Sequence, residues 1–238
     1  MIEKIKRFGL FLWKTVRYNL KIIFANKFIY FLLAAVGIFL LVIALSVFDA
    51  NSSPTPTIVY YWLLVPGILL IFYPTVFGIQ NDADSRMLEL LFGIPNYRYK
   101  VWLVRLAVIY VIVFGLLGIL AGLSAVSIVP FNINHMVFQL MFPVFFLGSV
   151  AFLFSTLVRN GYGTAVFVVL ITMVFWILSG ALMESKWNLF LNPFRMPEDV
   201  SDFVWQDIVL QNRLYQTVGM VLSILAGLLN LQKREKFV

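Results

Sequence analysis

Residues 81–100 read NDADSRMLELLFGIPNYRYK, and among their ionisable side chains Asp82, Asp84, Arg86, Glu89 and Arg98 are the first candidates for chemistry. Carboxylates and a guanidinium at that spacing offer a charged ridge to a partner. They do not make a catalytic set, because the one histidine, His135, lies far along the chain with no neighbouring acid or second histidine. His135 is therefore read as a loop-edge residue making an ordinary hydrogen bond rather than as a metal ligand or general base. There are no cysteines, which removes disulfides, thiolate chemistry and Cys-based zinc or iron-sulfur sites. The phosphate-binding pattern G-x-x-x-x-G-K-[ST] is missing, and no Gly-Lys pair occurs anywhere. The expectation is a chain with no catalytic residue and no cofactor or metal of its own, so any ATP it depends on is bound elsewhere.

The elements that hold this ridge are apolar. Of 238 residues, 62% are hydrophobic and 12% charged, against about 25% charged in a soluble domain. One transmembrane domain over residues 1–238 is expected. Six runs approach the ~20 residues that cross a ~30 Å hydrocarbon core: 28–48, 58–79, 102–130, 136–158, 162–183 and 213–231. The first is too far from the start of the sequence, and lacks the cleavage site, to be a signal peptide. Of the 18 Lys and Arg residues, only Lys186, Arg195 and Arg213 fall on one side of this layout. The excess marks the cytoplasmic side, which places both termini there. The net charge of +7 is then a topology signal and an attraction to anionic lipid, and nucleic-acid binding is not expected.

Residues 1–27 place Ile5, Phe8, Leu12 and Val16 at helical spacing, with Arg7, Lys14 and Lys21 on a second face. An amphipathic helix lying in the membrane interface is expected, with Trp13 and Tyr18 at headgroup level. None of the six runs carries an ionisable residue in its central part, which disfavours an ion-coupled carrier. Gly115, Gly118 and Gly122, and Gly219, Ser223 and Gly227, form small-residue faces for helix packing, within the chain or at a dimer contact. Pro66, Pro74 and Pro143 should bend their helices.

At 100° per residue, Asp82, Ser85, Arg86, Glu89 and Gly93 share one arc of a helix over 82–94, and Met87, Leu88, Leu90, Leu91 and Ile94 cover the rest. Asp82 and Asp84 suit its first turn, and Gly93 with Pro95 its end. So short a helix must bury its apolar face to be stable. The outer segment 184–212 holds Glu184, Glu198, Asp199, Asp202 and Asp207, with Phe203, Val204, Ile208 and Val209 interleaved. Part of it should form an amphipathic helix at the outer leaflet.

The run D-x-D-x-x-x-LELL-x-x-x-P-x-x-R, formed by Asp82, Asp84, Leu88, Glu89, Leu90, Leu91, Pro95 and Arg98, with Arg105 opening the next span, resembles the cytoplasmic loop of permease subunits of type-2 ABC exporters. An amphipathic amino-terminal helix, six spans, and an outer segment with an Asn-Pro pair (Asn192, Pro193) extend the resemblance over the chain. It departs at Arg86, where the family usually has Gly, and at Met87 and Ile94, where Thr is common. The resemblance implies an all-α membrane protein of the inner (cytoplasmic) membrane whose coupling helix at 82–94 docks in a separate ABC ATPase subunit. ATP and magnesium would sit on that subunit, and a second permease chain would complete the pathway. Asp82, Asp84, Arg86 and Glu89 would contact the ATPase, Pro95 and Arg98 would shape the return to the third span, and the cargo would be hydrophobic or amphipathic. A carrier not driven by ATP and a structural membrane scaffold are the alternative readings.

Overall fold

The computed structural model describes residues 17, 28–48, 54–84, 98–158 and 160–231, and among them the regular structure is entirely helical. The elements are α1 (Phe28–Phe48), α2 (Pro56–Val76), α3 (Gly78–Asp84), a π-helical turn (Arg98–Leu103), α4 (Val104–Ser127), α5 (Ile133–Val158), α6 (Gly161–Ala181) and α7 (Asp202–Asn230). The expected interface helix at 1–27 lies outside the described residues apart from Arg17, which is helical and exposed.

Local sequence accounts for several boundaries. Pro56 opens α2 where a missing N–H costs nothing. Asn160 caps α6, its Oδ1 accepting from Tyr162 N at 2.9 Å and Gly163 N at 3.3 Å. The helix continues through Pro66, but α2 ends two residues beyond Pro74. The chain bends at Phe77 and resumes as α3. Helix therefore precedes Asp82 and Asp84 from Gly78 onward, so neither stands at a helix start, and the remainder of the expected helix, 85–94, lies outside the described residues.

Among the described residues, five stretches are long and apolar enough to cross a membrane: Phe28–Ser46, Pro56–Asp84, Val101–Ser127, Ile133–Val158 and Gly161–Ala181. The protein is a multi-pass membrane protein. Six spans are expected from the sequence, and the sixth, 213–231, falls on α7, which is not among these five. The physical reason is visible in its side chains. Asn212, Arg213 and Gln216 are buried in protein, where polar groups of a membrane helix find partners. At 29 residues α7 is about 43 Å long. It absorbs the amphipathic part of the outer segment, beginning at Asp202.

Helix α5 is central, touching α2, α4, α6 and α7. At Gly148 the approach of α2 leaves no room for a side chain, since a Cβ would lie 2.5 Å from Ile71 Cγ1. Tyr110 of α4 stacks on Phe145 of α5 at 4.0 Å and donates its hydroxyl to Phe145 O at 3.1 Å. Helix α1 packs on α2, and α6 buries only Gly161, Thr164 and Val168. The large apolar side chains these two helices expose suit contact with lipid.

Candidate functional site

Two polar assemblies mark opposite ends of this bundle, and they take the names inner and outer from the topology that the Lys and Arg distribution leads one to expect. The inner one begins with Asp82 in α3 and Arg105 in the first turn of α4. Arg105 Nη1 donates to Asp82 Oδ2 at 2.6 Å, and each residue is only 5% exposed. The guanidinium lies 4.8 Å from the ring centre of Trp102, which adds a cation–π contact. Burial makes each charge dependent on the other, because desolvating a lone ion costs more than the bundle's packing returns. Helix α3 is also fastened to its other neighbours. Asn81 Nδ2 donates to Tyr73 Oη of α2 at 3.3 Å, and Gln80 Oε1 accepts from the Gly161 N–H that starts α6. Beneath them Ile79, Trp102, Leu106, Phe152, Leu228 and Leu231 form one apolar cluster that brings in the carboxyl-terminal end of α7. Asn230 Nδ2 donates to Thr156 O at 2.6 Å beside it.

This joint carries the stretch that contains the expected coupling helix. Asp82, expected on its outward polar arc, is buried against Arg105, because the helical stretch that holds it packs between the base of α2 and the start of α4. Asp84 is exposed. Arg86, Glu89 and Pro95 lie outside the described residues, and Arg98 opens the π-helical turn that leads into α4.

The outer assembly is larger and centres on Arg213, which is 5% exposed. Its Nε donates to Gln139 Oε1 of α5 at 2.8 Å, its Nη1 to Asn212 Oδ1 at 2.9 Å and its Nη2 to Leu191 O at 3.1 Å. Phe142 presents its ring 5.4 Å from the guanidinium carbon. No carboxylate pairs with Arg213 among the described residues. The charge is held by amides, carbonyls and a ring face, in the manner of a buried cation with fixed dipoles around it.

These groups converge on residues 188–192, NLFLN, every one of them buried. Two Asx turns shape the segment: Asn188 Oδ1 accepts from Phe190 N and Asn192 Oδ1 from Phe194 N, each at 3.0 Å. An irregular segment has backbone carbonyls without ladder partners, and side chains of two helices, α7 and α2, supply them. Asn212 Nδ2 donates to Lys186 O and Asn188 O at 2.8 Å, Gln216 Nε2 to Leu189 O at 3.0 Å and Trp205 Nε1 to Pro193 O at 3.1 Å. From α2, Tyr60 Oη donates to Leu191 O at 3.3 Å and Thr57 Oγ1 to Phe194 O at 2.7 Å, while Asn192 Nδ2 returns a bond to Thr57 O at 2.8 Å. His135 is exposed, with its Nε2 at 3.4 Å from Gln139 Nε2 and its ring against Phe194.

Beside this segment is a cavity of about 570 Å³ lined by Tyr61, Trp176, Phe190, Glu184 and Glu198 among others. A second, apolar groove of about 470 Å³ runs between α4, α5 and α7 past Phe114, Phe138, Phe142, Phe145 and Met220. Sequence reading missed Gln139, Asn212 and Gln216 and counted Arg213 only as an outer charge. The available signal was the polar spacing 212, 213, 216 on one side of an otherwise apolar helix.

The two glycine faces separate in space. A Cβ at Gly219 would lie 2.6 Å from the Phe146 ring, and one at Gly227 would lie 2.8 Å from the Phe152 ring, so both pack α7 against α5. Ser223, between them, is half-buried. Added Cβ atoms at Gly115, Gly118 and Gly122 would meet nothing within 4 Å among the described residues.

Comparison with known proteins adds no relative: no family model, no curated protein and no solved structure matches the chain.

Proposed function

We propose that this chain is the permease subunit of an ATP-driven ABC exporter of the type-2 class, moving a hydrophobic or amphipathic molecule across or out of the inner membrane. In this reading α7 is the sixth span, both termini are cytoplasmic, and residues 82–94 form the coupling helix that docks in a separate ATPase. A second permease chain, the same or different, completes the transport path. ATP and magnesium act on the ATPase, and this chain catalyses nothing itself.

The observation that carries the proposal is the joint at the base of that loop. Asp82–Arg105, Gln80–Gly161 and Asn81–Tyr73 connect α3 to α4, α6 and α2, and the apolar cluster beneath adds α7. A force applied to residues 85–97 would reach three helices through buried or part-buried hydrogen bonds and a fourth through the apolar cluster, which is what a subunit moved by a partner requires. The loop's resemblance to coupling helices and the run of apolar spans without central charges support the same reading. The Phe-lined groove supports a hydrophobic cargo.

The test is co-purification with the ATP-binding subunit expressed alongside it, followed by ATP hydrolysis in nanodiscs. Glu89→Ala with Arg86→Ala should leave the protein folded and reduce permease-dependent ATP hydrolysis by about tenfold, the loss expected from one or two charge-assisted contacts. Failure to capture any ATPase, or unchanged hydrolysis in the double variant, overturns the proposal.

A further inference from the structure

Two polar atoms of the inner joint have no hydrogen-bond partner among the described residues: Trp102 Nε1 and Arg105 Nε. Their residues are 2% and 5% exposed, so bulk water does not serve them. A buried donor without an acceptor is rare and calls for an occupant. Both residues line a small cavity of about 10 Å³, bounded otherwise by Pro74, Gly78, Ile79 and Phe152 among apolar neighbours, with Thr75 as its third polar wall. That volume is the size of one water.

The chemistry of the walls narrows the occupant further. An indole N–H and a guanidinium Nε–H only donate, so whatever binds must present two lone pairs. Thr75 spends its own proton on Ile71 O at 2.7 Å or Phe72 O at 3.2 Å, which leaves its Oγ1 free to accept. The site therefore offers two donors and one acceptor, the three bonds typical of an internal water. Charge excludes an anion. Arg105 is already neutralised by Asp82 at 2.6 Å, so the cavity has no net positive charge with which to draw one from solvent.

We propose that a single structural water binds here, accepting from Trp102 Nε1 and Arg105 Nε and donating to Thr75 Oγ1. It extends the ion pair into a continuous chain, Asp82–Arg105–water–Thr75, that ties α3 and the start of α4 to α2 one residue beyond Pro74. The water gives both donors a partner at the point where Pro74 interrupts the hydrogen-bonding of α2. Because water reorients easily, the link survives small rotations between these elements that a direct side-chain bond would resist. This inference holds whether or not the chain is a transporter.

The experiment uses the full chain in nanodiscs with ¹⁵N-labelled tryptophan, the Trp102 indole signal being assigned by its loss in Trp102→Phe. The expected result is a water-to-indole cross-peak for Trp102 that persists in Thr75→Ser and disappears in Thr75→Val, with an upfield shift of the indole proton. An experimental density map at water resolution should show one peak within hydrogen-bonding distance of Trp102 Nε1, Arg105 Nε and Thr75 Oγ1. A cross-peak unchanged in Thr75→Val overturns the proposed geometry. A backbone carbonyl from residues 85–97 bonded to these donors, or bromide appearing at the site in an anomalous map, overturns the water itself.

Discussion

Replacing Arg213 should free the buried segment 188–192. The guanidinium makes three bonds, to Gln139 Oε1, Asn212 Oδ1 and Leu191 O. Bonds to a charged group contribute about 1.5–3 kcal/mol each, but the loss in Arg213→Gln is smaller than their sum. Leu191 O keeps the Tyr60 hydroxyl and Asn212 Oδ1 keeps Gln216 Nε2, so only Gln139 Oε1 is left without a donor. Removing the ion also relieves a desolvation cost of several kcal/mol. A net weakening of about 2–3 kcal/mol results, the penalty for one orphaned acceptor and the lost cross-links. The absence of native cysteine makes the readout clean. A cysteine placed at the buried Leu189 should react slowly with a membrane-impermeant maleimide, and Arg213→Gln should speed the reaction by about 30- to 150-fold, since 1.4 kcal/mol is a factor of ten. Arg213→Lys should fall between, because one ammonium cannot reach α5, α7 and the Leu191 carbonyl together. If labelling changes less than twofold while the melting temperature also stays put, Arg213 does not hold the segment and the outer network has been misread.

The inner ion pair makes a prediction with an internal control. Asp82→Asn should destabilise the protein by about 3–5 kcal/mol by leaving Arg105 buried without its counter-ion, whereas Asp82→Leu with Arg105→Met should cost far less. A thermal-melt double-mutant cycle showing no coupling between the two positions would refute the account of the joint. At the glycines, Gly219→Ala and Gly227→Ala should each destabilise by about 1–3 kcal/mol because a ring must move, and Gly118→Ala should stabilise by about 0.5–1 kcal/mol. The same melts decide it. A Gly118→Ala penalty equal to that at Gly219 would mean that another molecule covers the α4 face in the membrane.

The apolar runs were legible because lipid imposes one rule along the whole chain, and the ends of α5 and α6 fall within a few residues of the places where polarity rises. The two assemblies were not legible, because each depends on pairs remote in sequence. Asp82 looked like an outward charge when sorted around a helix starting at 82. It is buried because its partner, Arg105, lies 23 residues further on in a neighbouring helix. Arg213 and Gln139 are separated by 74 residues, and no local pattern joins them. The glycine faces show the same limit from another side. Their spacings are nearly identical in sequence, yet one meets the rings of α5 and the other meets none of the described residues, a difference set by which helix happens to lie opposite.

Helix α7 joins the two assemblies. Arg213 and Gln216 hold its outer part to α5 and the NLFLN segment, and Leu228 and Leu231 hold its inner end to Trp102 and Ile79. About 22 Å of helix separates Arg213 from Leu228. Gly219 and Gly227 seat this length directly on Phe146 and Phe152, so α5 and α7 are too closely packed to slide past one another without displacing rings. Helices α1 and α6 bury little of their length, and α6 is closely seated only at its start, where a Cβ at Gly161 would lie 2.5 Å from the Phe77 ring. A displacement at the inner joint would therefore be carried outward by α5 and α7 as one body. The outer segment, bonded to both α7 and α2, is where that motion would be resisted or released.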